Sequence, residues 1–555
     1  MKFSTIHLKV LSILFWSALF IGCTSDRSVK NSSKPNTYEQ LVSFFQDWRS
    51  FVKPTLENGV PDYSKEAMAL KHRELGDWKA RLLSFDTTGW PIPQQVDWHL
   101  VLAEMNGFDF EQRVVRPWER DPAFYIWFYS SPSDVPEREG PNIFGAVDLQ
   151  LLPLVMTDSL AVAMAQQLDL APKVYEQAKI NLTGKARDLW VTGTRSIKEN
   201  VAELNDYADA VEKNYPGLAA SARNASAATL DFHTWLEGKV DEKNESSGVG
   251  KESYTWNLKN VHLLPLTWEE ERIILERELY RSHSELRFTE HRNRKLPRLQ
   301  KANDAAAYNK LITDGVNEFM AFMDKEEFIT VKDYMKPALM AQVRPFVPTE
   351  GLRGFFDEVD HRDPMPMRAH MFHWIDKAAE TAEPTESPIR RKPLLYNIFD
   401  SRAEGLATAM EELVRNAGLL QNRQRAKELI YIMLAQRCAR GLGGLYQHSG
   451  EMTFEEATKY ASKWVPWGLL PADGGTIQHE EQFYIQQPGY GSSYVVGKVL
   501  IDQLIAEYAR QKEAAGLNFV VREFMDDLFH RGNIPVSLLY WEMTGDRSML
   551  DKALN

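Results

Sequence analysis

Cysteine is nearly absent: the 555-residue chain holds only two, Cys23 and Cys438. Cys23 falls in a leader segment, so Cys438 stands alone in the rest of the chain. That excludes an internal disulfide and any cysteine-based zinc site. Its surroundings, "LAQRCARGL", have helical spacing, which makes Cys438 a small buried thiol rather than a nucleophile. Basic charge is also in deficit. Asp and Glu number 77 against 65 Lys and Arg, a net charge of −12, and no polybasic run occurs. Nucleic acid and anionic lipid both call for the opposite balance. Long period-two alternation is scarce, which argues against extensive sheet, and no fixed-period repeat points to a solenoid. Familiar hydrolase and nucleotide signatures are missing too. "HEEQF" (479–483) starts like His-Glu-x-x-His but has no second histidine, and "GYGSSYVVG" (489–497) has no serine midway between two glycines. The same stretch fails as a phosphate loop, because five residues separate Gly491 from Gly497 and Val499 stands where Ser or Thr is required. No nucleotide is expected as a partner.

The first 26 residues, "MKFSTIHLKVLSILFWSALFIGCTSD", are not fold. A basic start at Lys2 and Lys9 precedes an apolar stretch from Val10 to Ile21, followed by Gly22 and Cys23. This is a secretory h-region, short for a bilayer span. "FIGC" resembles the bacterial lipoprotein box, with Phe20 where Leu is commoner. The resemblance implies a signal peptide over 1–22, lipidation of Cys23 and attachment to a membrane through that lipid. Thr24, where Asp would signal retention, implies the outer membrane, facing the periplasm. The plainer alternative is a secreted protein with a chance cysteine. Residues 23–38 are polar and read as a tether.

Helical periodicity runs through most of the remainder. It predicts helices over 38–52, 266–288 and 425–442, with Thr267 and Glu270 forming a capping box. Loops are expected at 130–142, 237–253 and 380–393. The fold class is therefore all-α, a large multi-helix protein. A soft boundary near 250 separates an N-terminal helical region (39–250) from a C-terminal domain (251–555), with a groove between them. "RPWERDPAFYIWFYSSP" (116–132) is dense in aromatics; it reads as a peptide or glycan groove or, more plainly, as core packing.

Three C-terminal segments resemble a bacterial family, the domain-of-unknown-function family numbered 885. In "SRAEGLATAMEELVRNAGLL" (401–420), Glu404, Gly405, Ala407, Glu411 and Leu413 match a family helix. In "RCARGLGGLYQHSGEMTFEEA" (437–457), His448 and Thr453 do. In "FYIQQPGYGSSYVVGK" (483–498), Tyr484, Pro488, Gly489, Tyr494 and Gly497 do. The likeness is strong over about 390–545 and visible from about 250. It implies a helical, secreted lipoprotein of zinc-metallopeptidase type. The family motif His-Glu-x-x-Pro-Gly-His-His, some thirty residues before the Glu-Gly helix, falls on "HMFHWIDK" (370–377). There Met371 replaces the glutamate that would activate water, the Pro-Gly pair is gone, and Asp376 falls where the next histidine should be.

Zinc hydrolysis needs three protein ligands, an open position for water and a carboxylate to take its proton. His370 and His373, at i and i+3, point to one face of a helix, and Pro366 suits that helix's start. Glu404 and Glu411, seven apart, share a face of a second helix. The metal set is then His370, His373 and Glu404, with Glu404 implied by the family resemblance. Glu411, as base or orienting group, and His448 and Tyr494, as oxyanion stabilisers, complete a catalytic set. The bland alternatives are histidines bonded to backbone or carboxylate, a solvated glutamate face, and helix-packing hydrogen bonds at His448 and Tyr494. Three functions follow: a zinc-dependent peptidase-like hydrolase with a rearranged site, a non-catalytic relative binding peptide or a partner, and a glycan-binding or glycan-active helical protein.

Overall fold

The computed structural model describes residues 37–131, 133, 138, 140–149, 155–348 and 353–555. The signal peptide, Cys23 and all but the end of the tether lie outside the described residues. The fold is all-α with two minimal sheets: Leu56–Glu57 pairs antiparallel with Val60–Pro61, and Phe128–Tyr129 pairs parallel with Val147–Asp148. Among the described residues no helix is long and apolar enough to cross a membrane.

Twelve helices position the regions discussed below. They are α1 (Tyr38–Val52), α2 (Lys65–Leu83), α3 (Ile92–Phe110), α4 (Arg187–Val211), α5 (Pro216–Glu237) and α6 (Trp268–Arg292), then α7 (Met365–His370), α8 (Phe372–Ala382), α9 (Asp400–Asn416), α10 (Ala426–Ser449), α11 (Gly475–Gln486) and α12 (Tyr490–Ala514). The first spans the whole predicted segment, because Thr37 and Gln40 close a capping box at its start. The predicted box at Thr267 and Glu270 likewise starts α6.

The apolar core forms three main clusters. Helices α6, α9, α10 and α12 build the largest. A second joins α4 and α5 to Trp118, Phe124, Tyr125, Trp127 and Phe128. The third lies between α1, α2 and α3. Helix α3 is buried on more than one face, so it serves two clusters at once. Val96, Leu100, Ala103 and Phe110 face the large cluster, while Val101, Met105 and Phe108 face the third. The aromatic stretch 116–132 is therefore mainly core; its five buried aromatics hold the second cluster together rather than line a groove.

Glycines set the closest helix contact. A Cβ at Gly405 would lie 2.6 Å from the Gly497 backbone, and one at Gly497 would lie 2.1 Å from the Ser401 carbonyl. Both residues belong to the family-like segments, and both let α9 and α12 cross backbone to backbone.

Candidate functional site

The "HMFH" segment does not form one continuous helix. Helix α7 ends at His370, Met371 is non-helical at ψ 6°, and α8 begins at Phe372. The two imidazoles thus sit on separate short helices, with ring centroids 5.1 Å apart. This corrects the single-face reading: a helix that breaks between the two histidines does not hold them at i, i+3 register.

Each buried ring has its own partner. His370 Nδ1 lies 3.2 Å from Glu411 Oε1. Burial and the cationic Arg437 hold His370 neutral, well below the usual imidazole range. His373 Nδ1 donates to the His370 carbonyl at 2.8 Å, and its Nε2 is buried without a hydrogen bond among the described residues. Burial lowers its pKa to about 4.

The carboxylates are engaged as well. The Arg437 guanidinium, projecting from α10, lies 2.7 Å from Glu411 Oε1, and both side chains are fully enclosed. Burial pushes the Glu411 carboxyl up, and the Arg437 guanidinium at 2.7 Å opposes that push and favours the ionised form. Glu404 Oε1 accepts from the Tyr490 hydroxyl at 3.2 Å, and Tyr490 in turn accepts from Tyr494 at 3.1 Å. Tyr494 also lies under the Arg440 guanidinium, 4.6 Å from its ring centre. His448 belongs to another neighbourhood: its Nε2 meets the Tyr484 carbonyl at 2.8 Å and its ring packs by Tyr254.

Of the six predicted residues, the structure brings His370 to Glu411 and Glu404 to Tyr494 through Tyr490. His373 adjoins the first grouping through His370, and His448 stands apart from both. These residues do not fit a zinc centre. Among the described residues no group of three or more His, Cys, Asp or Glu is placed to hold a metal. His373 and His448 each hold one nitrogen on a carbonyl and leave the other without a hydrogen bond among the described residues, but they lie in different neighbourhoods. Next to His370, the positive field of Arg437 and Arg440, which lowers the affinity of that imidazole for a proton, opposes a divalent cation in the same way.

A second feature escaped the sequence. A cavity of about 360 Å³ opens where the three apolar clusters meet. Phe110, Val261 and Leu394 reach it from the large cluster, Met68 and Trp118 from the second, and Phe108 from the third. Its lining carries local irregularities that ordinary packing avoids. Helix α3 runs into a five-residue π-turn, Glu111–Val115, in which the Arg116 amide bonds the Glu111 carbonyl at 2.8 Å. Such turns recur at functional sites. Tyr396 and Asn397 are both left-handed, at φ 61° and 47°, a costly conformation for a side chain as bulky as tyrosine.

The Glu111 carboxyl lines this cavity with no hydrogen bond or ion pair among the described residues, and burial raises its pKa to about 7. The floor is a polar chain: Asn397 donates to Gln487 at 3.1 Å, and Gln487 donates to Asp400 at 2.8 Å. Pro488 closes it beside His262 and Asn257. The cavity thus rests on the "QPGY" turn that leads into Tyr490 and Glu404.

Comparison with known proteins agrees with the family-like segments. Residues 377–543 match the family model described as a bacterial protein of unknown function, DUF885. No curated protein matches. Two solved structures share the fold. A putative lipoprotein of unknown function from Shewanella oneidensis is 14% identical with a TM-score of 0.65, over 91% of this chain and 99% of that one. The putative lipoprotein from Colwellia psychrerythraea is 13% identical with a TM-score of 0.59, over 93% and 99%.

Proposed function

We propose that this chain is a lipid-anchored protein of the bacterial cell envelope that binds a ligand in the cavity between its N- and C-terminal parts. In this reading the family's helical frame carries no zinc hydrolase site. The anchor reading rests on the "FIGC" box in the leader and on the description of both structural neighbours as putative lipoproteins. The observation that carries the binding reading is the Glu411–Arg437 ion pair at 2.7 Å. It occupies the predicted catalytic carboxylate with a fixed cation, while the open, strained and incompletely satisfied surface lies at the cavity instead.

A hydrolase would need Arg437 to release Glu411, leaving two opposite charges buried apart at a cost of several kcal/mol. It would also need a base, because Met371 stands in place of the usual glutamate. The test is incubation of the intact, detergent-solubilised protein with a mixed peptide library, with and without added zinc, read by mass spectrometry. The peptides are expected to survive unchanged. Zinc-dependent cleavage that disappears in His370→Ala would overturn the proposal.

A further inference from the structure

Glu111 is the acidic group of the cavity lining, and the fold gives its carboxyl no hydrogen bond or ion pair among the described residues. Its neighbours on the lining are already committed. Arg49 forms a two-point ion pair with Glu104 at 2.8 and 2.5 Å. Arg138 pairs with Asp148 at 2.8 Å. Lys71 donates to the carbonyls of Phe51, Val52 and Lys53. Lys53 is exposed, and burial lowers His262 to a pKa of about 4, so it stays neutral.

A carboxyl withdrawn from water without a partner costs free energy, and charge of the opposite sign recovers more of it than a neutral donor does. The surrounding walls suit a cation with an apolar body. The rings of Tyr63 and Tyr396 line the cavity, and both feel the charge of Glu111. Aromatic faces attract ammonium groups.

The arrangement is held in place by close packing. A Cβ at Gly107 would lie 2.5 Å from the Tyr396 ring, so this glycine lets the ring lie flat against α3. Gly107 and Glu111 are one helical turn apart, on the same face. The left-handed backbone at Tyr396 delivers the ring to that face.

We propose that Glu111 makes this cavity a binding site for a small organic amine, with the ammonium group on the carboxylate and the apolar body between Tyr63 and Tyr396. This rests on the cavity-binding function proposed above and names its ligand class. Because an ammonium ion favours the ionised carboxylate, affinity rises with pH from 6 to 8, the range in which Glu111 loses its proton.

The experiment is calorimetric titration of the intact protein in detergent with phenethylamine and with its neutral counterpart phenethyl alcohol, repeated on Glu111→Gln. Phenethylamine, an alkylamine like the lysine side chain, stays charged over this pH range. The amine is expected to bind more tightly than the alcohol, more tightly at pH 8 than at pH 6, and about tenfold or more weakly in Glu111→Gln. Helical circular dichroism of the variant verifies that it is folded. Equal binding of amine and alcohol, unchanged in Glu111→Gln, would overturn the amine assignment and leave the cavity a ligand site. Binding of neither compound would overturn the amine assignment together with the binding reading. As a second probe, Gly107→Ala should weaken amine binding while leaving the Glu111 carboxylate in place. Undiminished binding there would contradict the role of Tyr396.

Discussion

The α9–α10–α12 core and the cavity beside α3 both bury acidic groups, and they treat them in opposite ways. In the core, several buried carboxylates have a cation on them, while Glu404 and Asp400 accept from the neutral Tyr490 and Gln487. Glu411 meets Arg437, and Asp376 takes both arms of Arg402 at 2.7 and 3.0 Å. Glu412 takes both arms of Arg281 at 3.1 and 3.0 Å and also Lys498 at 2.9 Å. At the cavity Glu111 has none. A paired buried charge locks the structure that surrounds it, whereas an unpaired one at a cavity waits for something else to complete it. The family-like motifs of this chain mark the first kind of region, and the second lies one layer away, across the Gln487–Pro488 turn.

The largest expected effect comes from breaking a core pair. Arg437→Ala should lower stability by about 3–5 kcal/mol, because Glu411 stays buried without its cation. Denaturant unfolding measures this, and the double variant Arg437→Met/Glu411→Leu should recover most of the loss. A catalytic role for the pair would instead show as lost activity at unchanged stability.

Gly497→Ala comes next. Its Cβ would meet backbone that has no room to move, and a thermal melt should report a loss of about 3 kcal/mol.

At the cavity the sign is reversed. Between the ordinary carboxylate range and pH about 7, folded Glu111 keeps a proton that the unfolded chain has lost. Its contribution to stability therefore falls as pH rises through that window. Glu111→Gln removes this loss. The variant should match the wild type near pH 4.5 and exceed it by on the order of 2 kcal/mol above pH 7.5. Comparing the two proteins cancels the other raised carboxyls, Glu271 and Glu380 among them. A gap that stays constant across this range would show that Glu111 is solvated or paired. The smallest effect is Thr267→Ala, which removes the α6 capping box and should cost about 1 kcal/mol.

Local signals in the sequence were readable where they reflect neighbours along the chain. Thr267 with Glu270, the apolar spacing of 38–52 and the lone Cys438 all led to the structure found, since caps and helix faces depend on residues three or four apart. Gly405 and Gly497 could be matched to a family pattern, but their shared role at one helix crossing needed the fold. The surroundings of the candidate metal set were not legible for a related reason. Spacing put His370, His373 and Glu404 in the same region, yet nothing in it revealed that Arg437, 26 residues beyond Glu411, would reach that carboxylate, or that the helix would break at Met371. The cavity was hidden because α3, Tyr63, Tyr396 and the 486–488 turn come from distant parts of the chain. Neither a π-turn nor a left-handed tyrosine has a sequence signature.

Under the proposed function Arg437, and not a metal, completes the His370–Glu411 neighbourhood. This is tested most directly by elemental analysis of the intact protein after zinc incubation and dialysis, beside His370→Ala/Glu404→Ala. No stoichiometric zinc is expected in either protein. One zinc per chain in the wild type, lost in the double variant, would contradict it.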